Sequence, residues 1–171
     1  YANYNVGLYE LGNVTHQPVD HRYVGLHRVA AHIFGVDDSD IPPRFDLSAP
    51  RQIKEKYVCI GVQSTSLAKY WNNPEGWDRV VDYLKSKGYR VLCIDKDRIG
   101  GKAGTFIRKP EGAEDFTGAL PLQERINLLK DAEFYIGLSS GLSWLAWGCK
   151  IPVIMISGFT NPINEFKTPY R

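Results

Sequence analysis

Four short apolar runs constrain this chain more than anything else in it: "YVCIGVQ" (57–63), "YRVLCID" (89–95), "EFYIGL" (133–138) and "IPVIMIS" (151–157). Each is nearly continuous in apolar residues. A strand with one wet face alternates apolar and polar residues, whereas a strand covered on both faces need not, as in buried parallel sheets. Parallel neighbours need long crossovers, and the spacers here carry helical patterns. After the first run, Asn73 offers a cap and Pro74 a first turn, and Trp77, Val80, Val81 and Leu84 form a stripe at i, i+3, i+4 and i+7. Gly88 closes that helix. "PLQERINLLKDA" puts Leu122, Ile126 and Leu129 on one face, and "SGLSWLAWG" reads as a short helix between the last two strands. The fold class predicted is α/β, a Rossmann-like parallel sheet with helices on both faces, over residues 57–171.

The rest of the chain is patterned differently. Residues 96–118 are glycine-rich, with one more short strand predicted near Thr105–Ile107. "HRYVGLHRVAAHIFGV" (21–36) reads as one amphipathic helix with Leu26, Val29, Ile33 and Val36 on its apolar side. Residues 38–56 are charged and proline-marked, as a linker would be. The predicted organisation is therefore the last helix of an N-terminal domain (1–37), a linker (38–56) and the α/β domain (57–171). With no initiator Met and an end soon after a strand, the chain reads as a fragment cut at both ends.

Composition narrows the function classes. With 43% hydrophobic and 23% charged residues, the chain has the make-up of a globular protein. A net charge of +2, with the basic residues scattered, gives no field for nucleic acid or an anionic membrane. No run approaches the ~20 apolar residues of a membrane span. Cys59, Cys93 and Cys149 lack disulfide or metal spacing, so they read as free thiols in a reducing, cytoplasmic compartment. His16, His21, His27 and His32 are five or six residues apart, do not stack on one helix face, and read as surface or interface residues.

In an open parallel sheet, ligands bind beyond the carboxyl ends of the strands. Two loops leave such ends, "QSTSLAK" and "LSSG", and each leads towards a helix. A helix N-terminus offers unpaired N–H groups and a partial positive charge, which suits phosphate. Ser139, Ser140 and Ser143 bring hydroxyls, and Gly141 permits close approach. A plain Ser N-cap on a buried helix fits the same letters, and a solvated surface lysine fits Lys69 as well as a diphosphate partner does. Neither GxxxxGK[ST] nor GxGxxG is present. Trp71, Trp77, Trp144 and Trp147 read as core, with Trp144 the candidate exception, one turn into the phosphate helix.

Taken together, "STSLAK", "DFTGALPLQERINLLKDAEFYIG" and "SSGLSWLAWGCKIPVIMISGFTNP" resemble the heptosyltransferases, which have two Rossmann-like domains in the GT-B fold and use ADP-heptose. Ser139 stands where that family has Asp, and Trp144 where it has His. With "KYWNNPEGW" and "EDFTG", these departures resemble one subgroup, the bacterial autotransporter heptosyltransferases. The resemblance implies transfer of heptose from ADP-heptose to serine hydroxyls of an autotransporter adhesin. It assigns donor binding to Ser64, Thr65, Lys69, Ser139, Ser140, Gly141 and Trp144. It puts the general base upstream, an iron-binding cysteine motif beyond Arg171, and a homo-oligomer at full length. Residues 57–171 become the donor-binding domain, itself truncated, and the fragment alone is expected to be inactive. Two readings stay open beside it: a GT-B transferase or epimerase with another nucleotide sugar, and a non-catalytic α/β binding module.

Overall fold

The computed structural model describes residues 25–37, 39, 41–102 and 104–158. The chain divides into two compact units, one of which runs from Pro42 to Phe159 and carries the sheet. In the other, α1 spans Leu26–Phe34, shorter than the sequence pattern. Leu26 lies at its exposed start and Val36 beyond its end, and both face water. The side chains of Val29, His32 and Ile33, and residues His16 and His21, lie outside the described residues.

The sheet unit holds β1 (Tyr57–Gly61), α2 (Gly76–Ser86), β2 (Arg90–Cys93), β3 (Ile99–Lys102), β4 (Thr105–Arg108), β5 (Glu114–Asp115), α3 (Leu122–Leu129), β6 (Tyr135–Gly137), α4 (Gly141–Gly148) and β7 (Val153–Met155). Five strands form one sheet in the order β5-β2-β1-β6-β7, and every pairing is parallel. Counted along the chain, that order is third, second, first, fourth, fifth. The sequence of strands therefore reverses direction between β1 and β6, which makes their carboxyl ends the switch point of the sheet.

Side-chain alternation along β1 sorts the core into two layers. Tyr57 and Cys59 point to the face covered by α3 and α4, where Leu129, Leu145, Ala146 and Trp147 are buried. Val58 and Ile60 point to the other face, against Trp77, Val81 and Leu84 of α2. Helices on both faces explain why the central strands show no polar alternation. Tyr57 Oη donates to the Leu128 carbonyl at 2.8 Å, satisfying one buried polar group with another.

Several boundaries differ from the sequence reading. α2 begins at Gly76 rather than Pro74, because Asn73 Oδ1 accepts from the Glu75 amide and holds a turn there. Leu122, expected on the buried stripe of α3, is 61% exposed at the helix's first residue, where no preceding turn covers it. The single strand expected near Thr105 is one arm of an antiparallel hairpin, β3–β4. Residues 42–56, linker-like in sequence, pack on the sheet unit: Ile53 is in the core and Phe45 lies against it.

All three cysteines are buried singly as free thiols. Burial pushes the Cys59 and Cys93 thiols well above their ordinary range, and Cys149 up to about 12. Thiolate is the reactive form. Peptide mapping after treatment with a thiol reagent at pH 8 is expected to leave these three unlabelled in native protein and to label all three in urea. Rapid native labelling of any of them would contradict this packing.

Candidate functional site

The ends of β1, β2 and β6 open onto one cleft of about 1000 Å³. Its walls come from the loop after β1 (Gln63, Ser64, Thr65), the loop after β2 (Asp95 to Asp97), the turn at Gly118–Leu120, and the first turn of α4. Of the residues singled out in the sequence, Ser64, Thr65, Ser140, Gly141 and Trp144 line this cleft.

Lys69 and Ser139 are placed differently. Lys69 ends a 3-10 turn, Leu67–Lys69, and its Nζ donates to the Ser139 carbonyl at 3.3 Å and to Ser139 Oγ at 3.2 Å. Ser139 is itself buried. This contact ties the β1 loop to the β6 loop and fixes a cation one residue from the α4 N-terminus. Ser139 is thus a tether for Lys69 rather than part of the cleft lining.

Ser140 occupies the N-cap position of α4 in extended conformation, yet its hydroxyl does not cap the helix. Ser143 Oγ donates back to the Ser140 carbonyl at 2.8 Å and is fully buried, which removes it from the cleft-facing hydroxyls. A Cβ built on Gly141 would meet nothing within 4 Å. The absence of a side chain there answers no packing need of the protein. It leaves the cleft clear in front of the helix amides.

Trp144 both packs on the core and lines the cleft. Its ring packs edge-to-face on Trp147, with centroids 5.7 Å apart, and against the core cluster, while it also lines the cleft.

Two charged residues escaped the sequence reading. Asp95, 2% exposed, follows β2 and accepts from the Val62 amide at 2.8 Å and the Gln63 amide at 3.3 Å. Burial pushes its carboxyl up, opposed first by the Val62 amide, then by the Cys93 thiol, the Gln63 amide and the Arg125 charge. Arg125, 6% exposed, donates to the carbonyls of Asp95, Phe116 and Gly118. The signals were present: an acid closing an apolar run, and an arginine three residues after Leu122 on the apolar stripe. Nearby, Tyr135 Oη and Ser140 Oγ are buried without a partner at bonding distance, although Ser140 lies near enough to pull the phenol's pKa down against the dominant effect of burial.

Comparison with known proteins places the chain. The profile described as glycosyltransferase family 9 (heptosyltransferase) matches residues 15–170. The chain belongs to this family. It is 60% identical over its whole length to the autotransporter heptosyltransferase TibC of Escherichia coli O78:H11 (strain H10407 / ETEC), and 58% to the autotransporter heptosyltransferase Aah of Escherichia coli. It spans only 42% and 44% of their lengths. A crystal structure of TibC, described as an iron-containing dodecameric glycosyltransferase, matches 97% of this chain and 45% of that one with a TM-score of 0.86. A second, of TibC in complex with ADP-D-beta-D-heptose, matches equally well over 44% of its chain. The sheet therefore has the GT-B-like glycosyltransferase fold of its family. Among the described residues, no group of three His, Cys, Asp or Glu could hold a metal ion, and the three cysteines are buried free thiols. These residues do not fit an iron centre.

Proposed function

We propose that this chain is the donor-binding part of an enzyme that transfers heptose from ADP-heptose to serine hydroxyls of an autotransporter adhesin. The observation that carries this reading is the cleft at the sheet's switch point, lined by Ser140 and Gly141 at the α4 N-terminus, with Lys69 tethered to Ser139 one residue before that helix. The TibC complex with ADP-D-beta-D-heptose supports the choice of donor.

On this reading the diphosphate sits before α4, where backbone amides, those of Ser140 and Gly141 among them, donate to it and Lys69 supplies positive charge. Ser64 and Thr65 bound it from the β1 loop. Trp144 presents its ring to the donor. Displacement at the anomeric carbon breaks the bond to ADP and forms one to the serine oxygen, whose proton goes to a base. Negative charge grows on the departing phosphate, and fixed donors aimed at it lower the barrier. None of the described residues is assigned as the base; the N-terminal domain supplies it. An iron centre like TibC's belongs outside the described residues. The chain works in a reducing cytoplasm, which suits its free thiols, and in a homo-oligomer, as TibC's dodecamer suggests.

Calorimetry with ADP, UDP and GDP on the full-length protein tests this. ADP is expected to bind tightest, and Lys69→Ala to weaken it roughly tenfold to a hundredfold, the scale of a charged hydrogen bond worth ~1.5–3 kcal/mol. A preference for UDP or GDP would indicate a different sugar donor. No nucleotide binding would leave a binding module. An unchanged ADP affinity in Lys69→Ala would remove Lys69 from the site.

A further inference from the structure

We propose that Asp95 and Arg125 are positioning residues of the cleft, a buried pair of opposite charges that hold its loops through backbone hydrogen bonds. The proposal rests on the donor-site reading and names what gives that site its shape.

An acid just beyond the second strand of such a sheet stands where a ribose-binding carboxylate is found in dinucleotide folds. The geometry here points elsewhere. Asp95 Oδ2 accepts from the Val62 amide at 2.8 Å and the Cys93 thiol at 3.4 Å, and Oδ1 accepts from the Gln63 amide at 3.3 Å. Its bonds are made inside the protein, at 2% exposure. Arg125 is likewise turned inward. Nη1 donates to Phe116 O at 3.0 Å, and Nη2 donates to Asp95 O at 2.9 Å and Gly118 O at 2.5 Å.

Buried charges are costly unless paired or fully hydrogen-bonded, and loop backbone cut off from water needs partners too. Each need meets the other here. The carboxylate holds the first two amides of the β1 loop, which continues directly into Ser64 and Thr65. The guanidinium holds three carbonyls from two loops, including that of Gly118, whose φ of +142° only glycine adopts readily. Among the described ion pairs none joins Asp95 to Arg125 directly, so the two act through the loops they bind.

The test uses the full-length protein, ADP as ligand and amide hydrogen exchange. Asp95→Asn keeps the shape but turns an NH2 towards one of the two amides. Expected are faster exchange at Val62 and Gln63 with Ile60 unchanged, and ADP binding at least tenfold weaker. Tyr57→Phe serves as the control: it removes the buried bond to Leu128 at the opposite end of β1 and is expected to lower Tm while leaving ADP affinity within twofold. Arg125→Lys keeps the charge but not the three-carbonyl geometry, so it should behave as Asp95→Asn does, and it carries the test if Asp95→Asn does not fold. Wild-type ADP affinity in the folded variant, with only Tm lowered, overturns the proposal and leaves the donor site standing. Failure of the wild-type protein to bind ADP overturns the donor reading itself, and the exchange rates at Val62 and Gln63 then decide whether the loops are held this way.

Discussion

Gly141→Val is expected to reduce ADP binding more than a hundredfold while leaving the fold intact. The position is helical rather than left-handed, so valine meets no backbone strain, and beyond its chain neighbours and the backbone of its own helix nothing lies within 4 Å of the added Cβ. Valine's helix propensity is no worse than glycine's, so the exchange adds no helical cost. The new methyl groups would stand in front of the amides that the proposed diphosphate needs. Melting temperature and calorimetry together check this. A wild-type Kd in Gly141→Val would move the phosphate away from α4. A large fall in Tm would show that Gly141 answers a packing need after all.

The second large effect is on stability. Gly61 and Gly137 are register partners at the ends of β1 and β6, and the Tyr135 side chain lies across both. A Cβ on Gly61 would overlap Tyr135 Oη and stand 3.1 Å from its Cζ and 3.2 Å from Leu142 Cδ1. Tyr135 is fully buried, so its ring has no room to swing aside. Overpacking of this kind typically costs ~1–3 kcal/mol, and Gly61→Ala is expected at the upper end. Adding Tyr135→Phe removes the overlapping oxygen, which has no partner at bonding distance, and should recover at least half of the loss. Urea denaturation of the single and double variants measures the coupling. Additive losses would show that the hydroxyl is not what fills the notch.

The buried sheet was legible because its four longest strands are apolar on both faces, and an amphipathic helix lies in one crossover. The two loops of the cleft were legible for a related reason: residues after a buried parallel strand must emerge at its carboxyl end. β5 was not legible. It is two residues long, Glu114–Asp115, and sits at the sheet edge, where polar residues are tolerated and no period can develop. The β3 arm was hidden by Gly100 and Gly101, which lower strand propensity. Asp95 and Arg125 were missed because pattern reading treats charge as a mark of surface, and their partners are mostly backbone groups of loops, which carry no pattern in the sequence. Trp144 shows the limit on the other side: its letter fits packing and lining equally, and it does both.

The Lys69–Ser139 tether joins residues 70 positions apart. Local contacts form early and cheaply, while contacts of this span wait for the chain between them to be ordered. During synthesis the first βαβ segment can emerge and begin to collapse well before α4 exists. Throughout that interval the β1 loop has no cation tether and no facing helix. The proposed donor therefore cannot template the early steps of folding. It can only capture a finished seam between β1 and β6, so ligand added to refolding protein should slow unfolding and leave the folding rate unchanged.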